Sequence, residues 1–306
     1  MDKLLVICGP TATGKTKLAI HLAKVFNGEI VSADSRQVYK GLDIGTGKEW
    51  GKGVKIWGYD LVGPKNDYSV SRYVKFATQA ISNIEKRGKL PMLVGGTGFY
   101  IKALINGVDT IDVPPNKFLR EGLKDKNIKD LFEDLSRIDS LKAGALNISD
   151  RKNPRRLIRA IEIAQWRNEN PIAQSHKKLS SNTMLIGLYS DHSTLKRNIA
   201  GRVDKQIKDG LLEEIRKLLK NGVGWKYQSM TSLGYREWKE FFAGSKSKED
   251  VIENIKKNQI RYASAQLTWF KKDRRIIWIN ISEPGSQKRV EKLVKKWYYH
   301  KDAEED

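Results

Sequence analysis

The chain has 306 residues, enough for one large domain or two smaller ones with a buried core. Hydrophobic residues make up 39% and charged residues 30%, and no apolar run approaches the length of a bilayer span, so no membrane helix is expected. Lysine and arginine number 57 against 36 acids, a net charge of +21, which is the footprint of a chain that meets a polyanion. Charge alone does not separate RNA from DNA, an acidic membrane or a lysine-rich solubilising surface.

The first element is the one the rest is organised around. Leu4 to Cys8 is an apolar run that reads as a buried parallel strand, and it enters Gly9-Pro10-Thr11-Ala12-Thr13-Gly14-Lys15-Thr16 directly. This is a full match to the phosphate-loop pattern G-x-x-x-x-G-K-[ST], and Lys17 to Phe26 follows with Leu18, Ala19, Leu22 and Phe26 at helical spacing. Strand, glycine loop and helix start separate a real phosphate loop from a chance match. Gly9 and Gly14 let successive backbone N–H groups turn inward, and the positive end of the helix faces the same anion. Lys15 is then expected along the phosphoryl oxygens, with the Thr16 hydroxyl offered to Mg²⁺. The loop does not say whether its ligand is a nucleoside triphosphate or another diphosphate ester. A cleaved signal peptide would remove this site, so none is expected. The single cysteine, Cys8, cannot make an internal disulfide, which fits a reducing cytosol; it reads as a small core residue.

Gly28 to Asp34 reads as a second strand with Asp34 at its carboxyl end, the edge where open α/β sheets bind ligands. Ser35 to Gly41 is expected as a loop or helical turn, and Val54 to Val62 as a further strand ended by Gly63-Pro64. Ser71 to Arg87 is a helix that stops at Gly88. Leu90 to Val94 is another buried strand. It breaks into Gly95-Gly96-Thr97-Gly98 and is followed by a helix from Phe99 to Ile105. No Asp follows this strand, so the Mg²⁺ partner of many phosphate-loop nucleotidases is missing there, which leans away from an ATPase.

Between Val113 and about Ser181 the strand signals stop, and a charged helical insertion is expected, punctuated by Pro154, Pro171 and Ser180-Ser181. Within it Arg155 and Arg159 fall at i, i+4. Unbalanced cations at that spacing want an anion such as RNA phosphate, although a solvated basic face explains them equally. Thr183 to Tyr189 returns to a strand. Helices follow from Ser193, carrying Arg197 and Arg202, and over Leu211–Leu219, with Gly222 as the stop. A hydroxyl-rich turn at 229–236, a long helix at 250–269, a last strand at 275–280 and a basic tail helix at 289–300 complete the chain. Trp297, Tyr298 and Tyr299 in that tail read as packing residues.

The motifs GPTATGKT at 9–16, SADSRQVYKGLDIGTGK at 32–48 and LVGGTGFYIKAL at 93–104 resemble one family, the tRNA dimethylallyltransferases. NPRRLIRAIEI at 153–163, GLLEEIRKLL at 210–219, SLGYREW at 232–238 and QLTWF at 266–270 continue the likeness in order. The resemblance implies an α/β fold: a P-loop NTPase-like parallel sheet core flanked by helices, with a helical insertion domain. The expected core is 1–112 with 182–306, and the insertion, expected to contact tRNA, is 113–181. The implied reaction moves a dimethylallyl group from dimethylallyl diphosphate to N6 of adenosine 37, beside the tRNA anticodon.

Carried over by position, the resemblance makes residues 9–16 the diphosphate site and Thr16 with Mg²⁺ the metal site. Asp34 becomes the general base, and Lys15, Thr97 and Arg202 become the residues around the diphosphate. Asp34, Ser35, Arg36, Gln37, Thr97, Arg155, Arg156, Arg159, Gly234, Tyr235 and Arg236 match tRNA-binding segments. A monomer is the expected state. The chain departs from the family where Ile260, Ser264 and Ala265 replace expected cations, with Arg261 one position away, where Asn198 replaces an arginine, and where VKIWGYDL at 54–61 lacks a histidine pair. A phosphate-loop small-molecule kinase, prenylation of free adenine nucleotide and a non-catalytic RNA-binding protein are the competing readings.

Overall fold

The computed structural model describes residues 3–51, 53–108, 110–111, 113–170 and 182–300. The chain divides into two compact units, 1–106 with 178–306, and 107–177. Residues 107–112, placed in the core from sequence, thus go with the second unit. The expected punctuation at Pro171 and Ser180-Ser181 lies outside the described residues.

The first unit is built on a six-stranded parallel sheet. Its strands are β1 (Lys3–Cys8), β2 (Gly28–Ser32), β3 (Ile56–Trp57), β4 (Leu90–Val94), β5 (Asn182–Tyr189) and β6 (Ile277–Asn280), in the order β3-β2-β4-β1-β5-β6. β1 sits centrally, pairing Leu5 with Met92 on one side and with Met184 on the other. Parallel strands buried on both faces must be apolar throughout, and β1 is. Leu4, Val6 and Cys8 enter one hydrophobic cluster while Leu5 and Ile7 enter the other, because successive side chains point to opposite faces.

Helices cover both faces. α1 (Lys15–Val25) and α13 (Ser286–Tyr299) close one cluster through Leu18, Leu22, Val290 and Val294. α2 (Val70–Lys86), α3 (Gly98–Asn106), α9 (His192–Lys208), α10 (Leu211–Lys220) and α12 (Lys248–Phe270) supply the other, with the short α11 (Trp238–Phe242). In the tail helix, Trp297 and Tyr298 pack on the apolar cluster, and the Lys3 ammonium donates to the carbonyls of Trp297, Tyr298 and His300. Among the described residues no helix is long and apolar enough to cross a membrane.

One expected strand is much shorter. Only Ile56–Trp57 pairs within the run 54–62, with an isolated bridge from Tyr39 to Val62. Gly58 at φ 97° and Asp60 at φ 56° take the left-handed conformation, which an extended strand cannot hold.

The second unit contains α4 (Lys117–Leu123), α5 (Ile128–Ile138), α6 (Ser140–Ala145), α7 (Ile148–Arg151) and α8 (Pro154–Glu169) around Leu131, Leu135, Leu157 and Ile161. Pro154 does not break a helix there. It is the first residue of α8, and the Asn153 side chain caps that helix by accepting the Arg156 N–H.

One buried acid in the sheet gathers half-exposed cations around it. Glu29 on β2 is 3% exposed and accepts from Arg87 (2.5 and 2.6 Å), Lys89 (2.9 Å) and the Trp57 indole (2.8 Å). The hydrogen bonds from Arg87 hold the Glu29 carboxyl down to about 2. A depressed acid stabilises the fold above its unfolded value and loses that contribution as pH falls. Glu29→Ala should therefore lower stability by about 2 kcal/mol at neutral pH. The difference between wild type and variant should shrink as the pH falls from about 4.5 toward 2, read by denaturant titration.

Candidate active site

The phosphate loop curls at the carboxyl end of β1. Gly9 is required there on two counts: its φ is 125°, and a Cβ would lie 2.3 Å from the Leu188 carbonyl oxygen. Thr13 is buried and its hydroxyl donates to the Pro10 carbonyl, so it braces the loop from within. The Lys15 ammonium donates to the same carbonyl at 2.5 Å, and the Arg202 guanidinium donates to the Thr11 hydroxyl at 2.5 Å. Two cations thus lie on one loop. Desolvation at the cavity floor, with Arg202 beside it, holds Lys15 down to about 8.

Two cavities open from this edge. The first, about 560 Å³, is lined by the loop residues Thr11, Ala12, Gly14, Lys15 and Thr16, together with Gly95 and Gly96. The second, about 680 Å³, is lined by Ser35, Arg36, Ser232, Arg236, Gln259 and Arg261, among others. They share five residues: Thr11, Asp34, Thr46, Arg202 and Tyr262. Asp34 follows β2, and its carboxylate accepts the Arg36 N–H at 2.8 Å. The structure therefore brings Asp34, Lys15, Thr16 and Arg202 to one place, as expected from sequence.

Other expected site residues turn out to have structural duties. The Thr97 hydroxyl accepts the Ser35 N–H at 3.0 Å, so it anchors the turn that carries Asp34. Gln37 is buried, accepting from the Ser32 hydroxyl and donating to the Thr46 and Gly47 carbonyls. Tyr235 corrects the sequence reading most plainly. It is fully buried, its hydroxyl donates to Glu214 at 2.5 Å and accepts the Gly45 N–H, and no surface is left for RNA. The Gly234 N–H is likewise taken by Glu237, while Arg236 pairs with Glu237 and still lines the second cavity.

In the second unit, the expected unbalanced pair Arg155 and Arg159 is half balanced. Arg159 bonds Glu162 and the Thr110 and Val113 carbonyls, and Arg156 pairs with Asp150. Arg155 is exposed. The buried acid Glu162, one turn after Arg159, was the signal for this pairing. Cys8 is a fully buried core residue, and burial pushes its thiol up to about 12.

Several site residues were not foreseen. Gln266 on α12 accepts the Thr11 N–H at 2.9 Å and donates to the Gly96 carbonyl at 2.8 Å, tying the phosphate loop to the glycines after β4. Glu214 on α10 accepts the N–H groups of Asp43 and Ile44, each at 2.9 Å, and Gln206 on α9 donates to the carbonyls of Ile44 and Gly45. Asn198 donates to the Ala12 carbonyl. The available signal was a row of glutamines on buried helix faces, a residue type seldom buried without a partner. Of the departures at 260–265, Ile260 packs against the core, the Ser264 hydroxyl donates to the Ile260 carbonyl, and Arg261 lines the second cavity.

Residues 37–273 match the family described as IPP transferase, and residues 2–56 match isopentenyl transferase. The chain belongs to the IPP transferase family. It is 38% identical to the tRNA dimethylallyltransferase of Anoxybacillus flavithermus over 96% of this chain and 95% of that one. It is 39% identical to that of Acetivibrio thermocellus, over 98% and 97%. Among solved structures, the full-length tRNA isopentenylpyrophosphate transferase from Bacillus halodurans superposes with a TM-score of 0.73 at 34% identity, covering 97% of each chain. A eukaryotic dimethylallyltransferase solved acting on tRNA superposes at 0.82 with 25% identity, covering all of this chain and 82% of its own. The P-loop NTPase-like parallel sheet expected from sequence is the fold observed.

Anion binding restores the charge that burial takes from Lys15. Inorganic diphosphate should therefore bind more weakly as pH rises above about 8, and binding near that pH should take up a proton. Calorimetry in buffers of different ionisation enthalpy reads this directly, and a pH-independent affinity would exclude Lys15 from the anion site.

Proposed function

We propose that this chain transfers the dimethylallyl group from dimethylallyl diphosphate to N6 of adenosine 37 of tRNA, releasing diphosphate. The reading rests on one observation above all: two cavities, one floored by the phosphate loop and one rimmed by arginines, share Asp34 as a common wall residue. A small-molecule kinase accounts for the first cavity but not for the second. Prenylation of a free nucleotide needs no opening lined by Arg36, Arg236 and Arg261.

The donor's diphosphate lies in the first cavity against the inward N–H groups of the phosphate loop. Lys15 exchanges the Pro10 carbonyl for a diphosphate oxygen, and Arg202 faces the same charge. The adenosine enters from the second cavity, turned out of its loop at a cost of a few kcal/mol. Its N6 attacks C1 of the dimethylallyl group, the C1–O bond breaks with its electron pair leaving on the diphosphate, and the Asp34 carboxylate accepts the N6 proton.

Mg²⁺ fits the residues present. Thr16 lines the first cavity, and its hydroxyl makes no hydrogen bond among the described residues. No cluster of three or more His, Cys, Asp or Glu offers a separate metal site among the described residues, so Thr16 would hold the ion together with the donor's own oxygens. When bound, Mg²⁺ supplies neutralising charge to the leaving diphosphate.

Incubating the protein with Mg²⁺, either dimethylallyl diphosphate or ATP, and either tRNA or AMP, followed by nucleoside mass analysis, should yield prenylated adenosine only from the first donor with tRNA. A product from ATP or from AMP would replace this reading. Asp34→Asn should bind tRNA normally but lower kcat by roughly 10²-fold or more. Wild-type kcat in that variant would remove Asp34 from proton transfer. Affinity for tRNA should drop steeply between about 50 and 200 mM salt in filter binding; a flat curve would assign the +21 charge to another partner.

A further inference from the structure

A third cavity, about 410 Å³, opens on the first unit, and none of its lining residues lines either of the other two. Its floor is apolar and belongs to the core. Cys8 at the end of β1 and Leu185 on β5 point to the same face of the sheet, where Ile101 and Ile105 of α3, Phe270 of α12 and Ile276 meet them, all buried. The volume lies within the range of small-molecule sites, about 300–1,000 Å³.

The rim is cationic. Lys102 stands on α3, and Lys272, Arg274 and Arg275 follow α12; all four are exposed and line the cavity. A single carboxylate, Asp273, is set among them. Arg275 takes both of its oxygens, at 2.9 and 2.6 Å, and donates onward to the Asn106 side chain at 3.0 Å. Lys272 and Arg274 make no ion pair among the described residues, and Lys102 feels only the already paired Asp273. Cations gathered about one paired acid are matched by an anion, and an apolar floor beneath them is covered only if that anion carries an apolar body.

We propose that this cavity is a second ligand site, separate from the reaction, and that it takes an amphipathic anion. An aliphatic chain lies against Ile101, Ile105 and Leu185, and a carboxylate or phosphate head sits among Lys102, Lys272 and Arg274. Inorganic phosphate alone leaves the floor bare, a neutral chain leaves the cations unmatched, and an RNA backbone offers no chain for the floor. The site backs onto the catalytic edge. Cys8 is followed directly by Gly9 of the phosphate loop, and the Trp269 ring, a wall of the cavity, stands so close to Gly98 that a Cβ there would lie 2.3 Å from it. Thr97, beside Gly98, anchors the turn that carries Asp34, so the ligand lies one residue layer behind both parts of the reaction site.

The test titrates octanoate and geranyl monophosphate into the protein by calorimetry, with inorganic diphosphate and Mg²⁺ held in excess to fill the phosphate loop. At least one of the two anions should bind about tenfold or more tightly than octanol, geraniol or inorganic phosphate, and the tighter one assigns the chain as acyl or prenyl. Lys102→Gln combined with Arg274→Gln, both exposed and clear of the other two cavities, should weaken that binding about tenfold. A diazirine-bearing analogue of the tighter ligand should label peptides from 101–106 or 269–276. The proposal is overturned if neither anion binds more tightly than its neutral counterpart, or if the label falls only on other segments. A double variant that binds the anion as wild type does also overturns it; if that variant loses tRNA affinity instead, the cations belong to the RNA backbone. Neither readout depends on prenyl transfer, so failure of the proposed reaction and failure of this site are told apart.

Discussion

A parallel sheet covered by helices on both faces leaves its carboxyl edge as the place where backbone polarity must be dealt with by something other than a ladder. In this chain long side chains do that. Gln266 holds Thr11 to Gly96, Gln37 holds Ser32 to Thr46 and Gly47, and Glu214 and Gln206 together fix residues 43–45 from both the N–H and the carbonyl side. The loops at this edge are consequently braced before any ligand arrives, so less ordering is needed on binding.

Close backbone approach follows from the same bracing. A side chain at Gly45 would collide with the Tyr235 ring, whose hydroxyl joins the Glu214 carboxylate beneath the loop. Tyr235 thus serves the acceptor side indirectly, by shaping the strip of chain at 44–46 that separates the two openings. Residues that look like contact residues in a motif can be the struts that shape the contact surface.

Electrostatics give the site its direction. Lys15 and Arg202 stand together over the phosphate loop with only backbone carbonyls and a hydroxyl as partners; burial lowers the pKa of both cations, and at Lys15 the repulsion from Arg202 adds to it. An incoming anion relieves that repulsion. In the second unit, by contrast, Arg120, Arg156 and Arg159 are matched by Glu162 and Asp150, so cation counts along that segment overstate the charge left for RNA.

Local chemistry alone determined much of this. The phosphate loop depends on glycines, one lysine and one threonine in a row, the β1 strand on an unbroken apolar run, and the stop of α10 on Gly222, so a linear reading recovers them. The position of Asp34 at a strand end, beside the loop, follows from the rule that parallel strands share one carboxyl edge. What the sequence did not carry is pairing at a distance: that Arg159 meets the Thr110 carbonyl, that Thr97 reaches back to Ser35, that Tyr235 is sealed beneath residues 43–45, and that Gln266 is satisfied while Gln259 is not. Each of these depends on which side chains a helix face meets across the fold. Identical residue types at similar spacing end up with different partners, and only the tertiary structure decides between them.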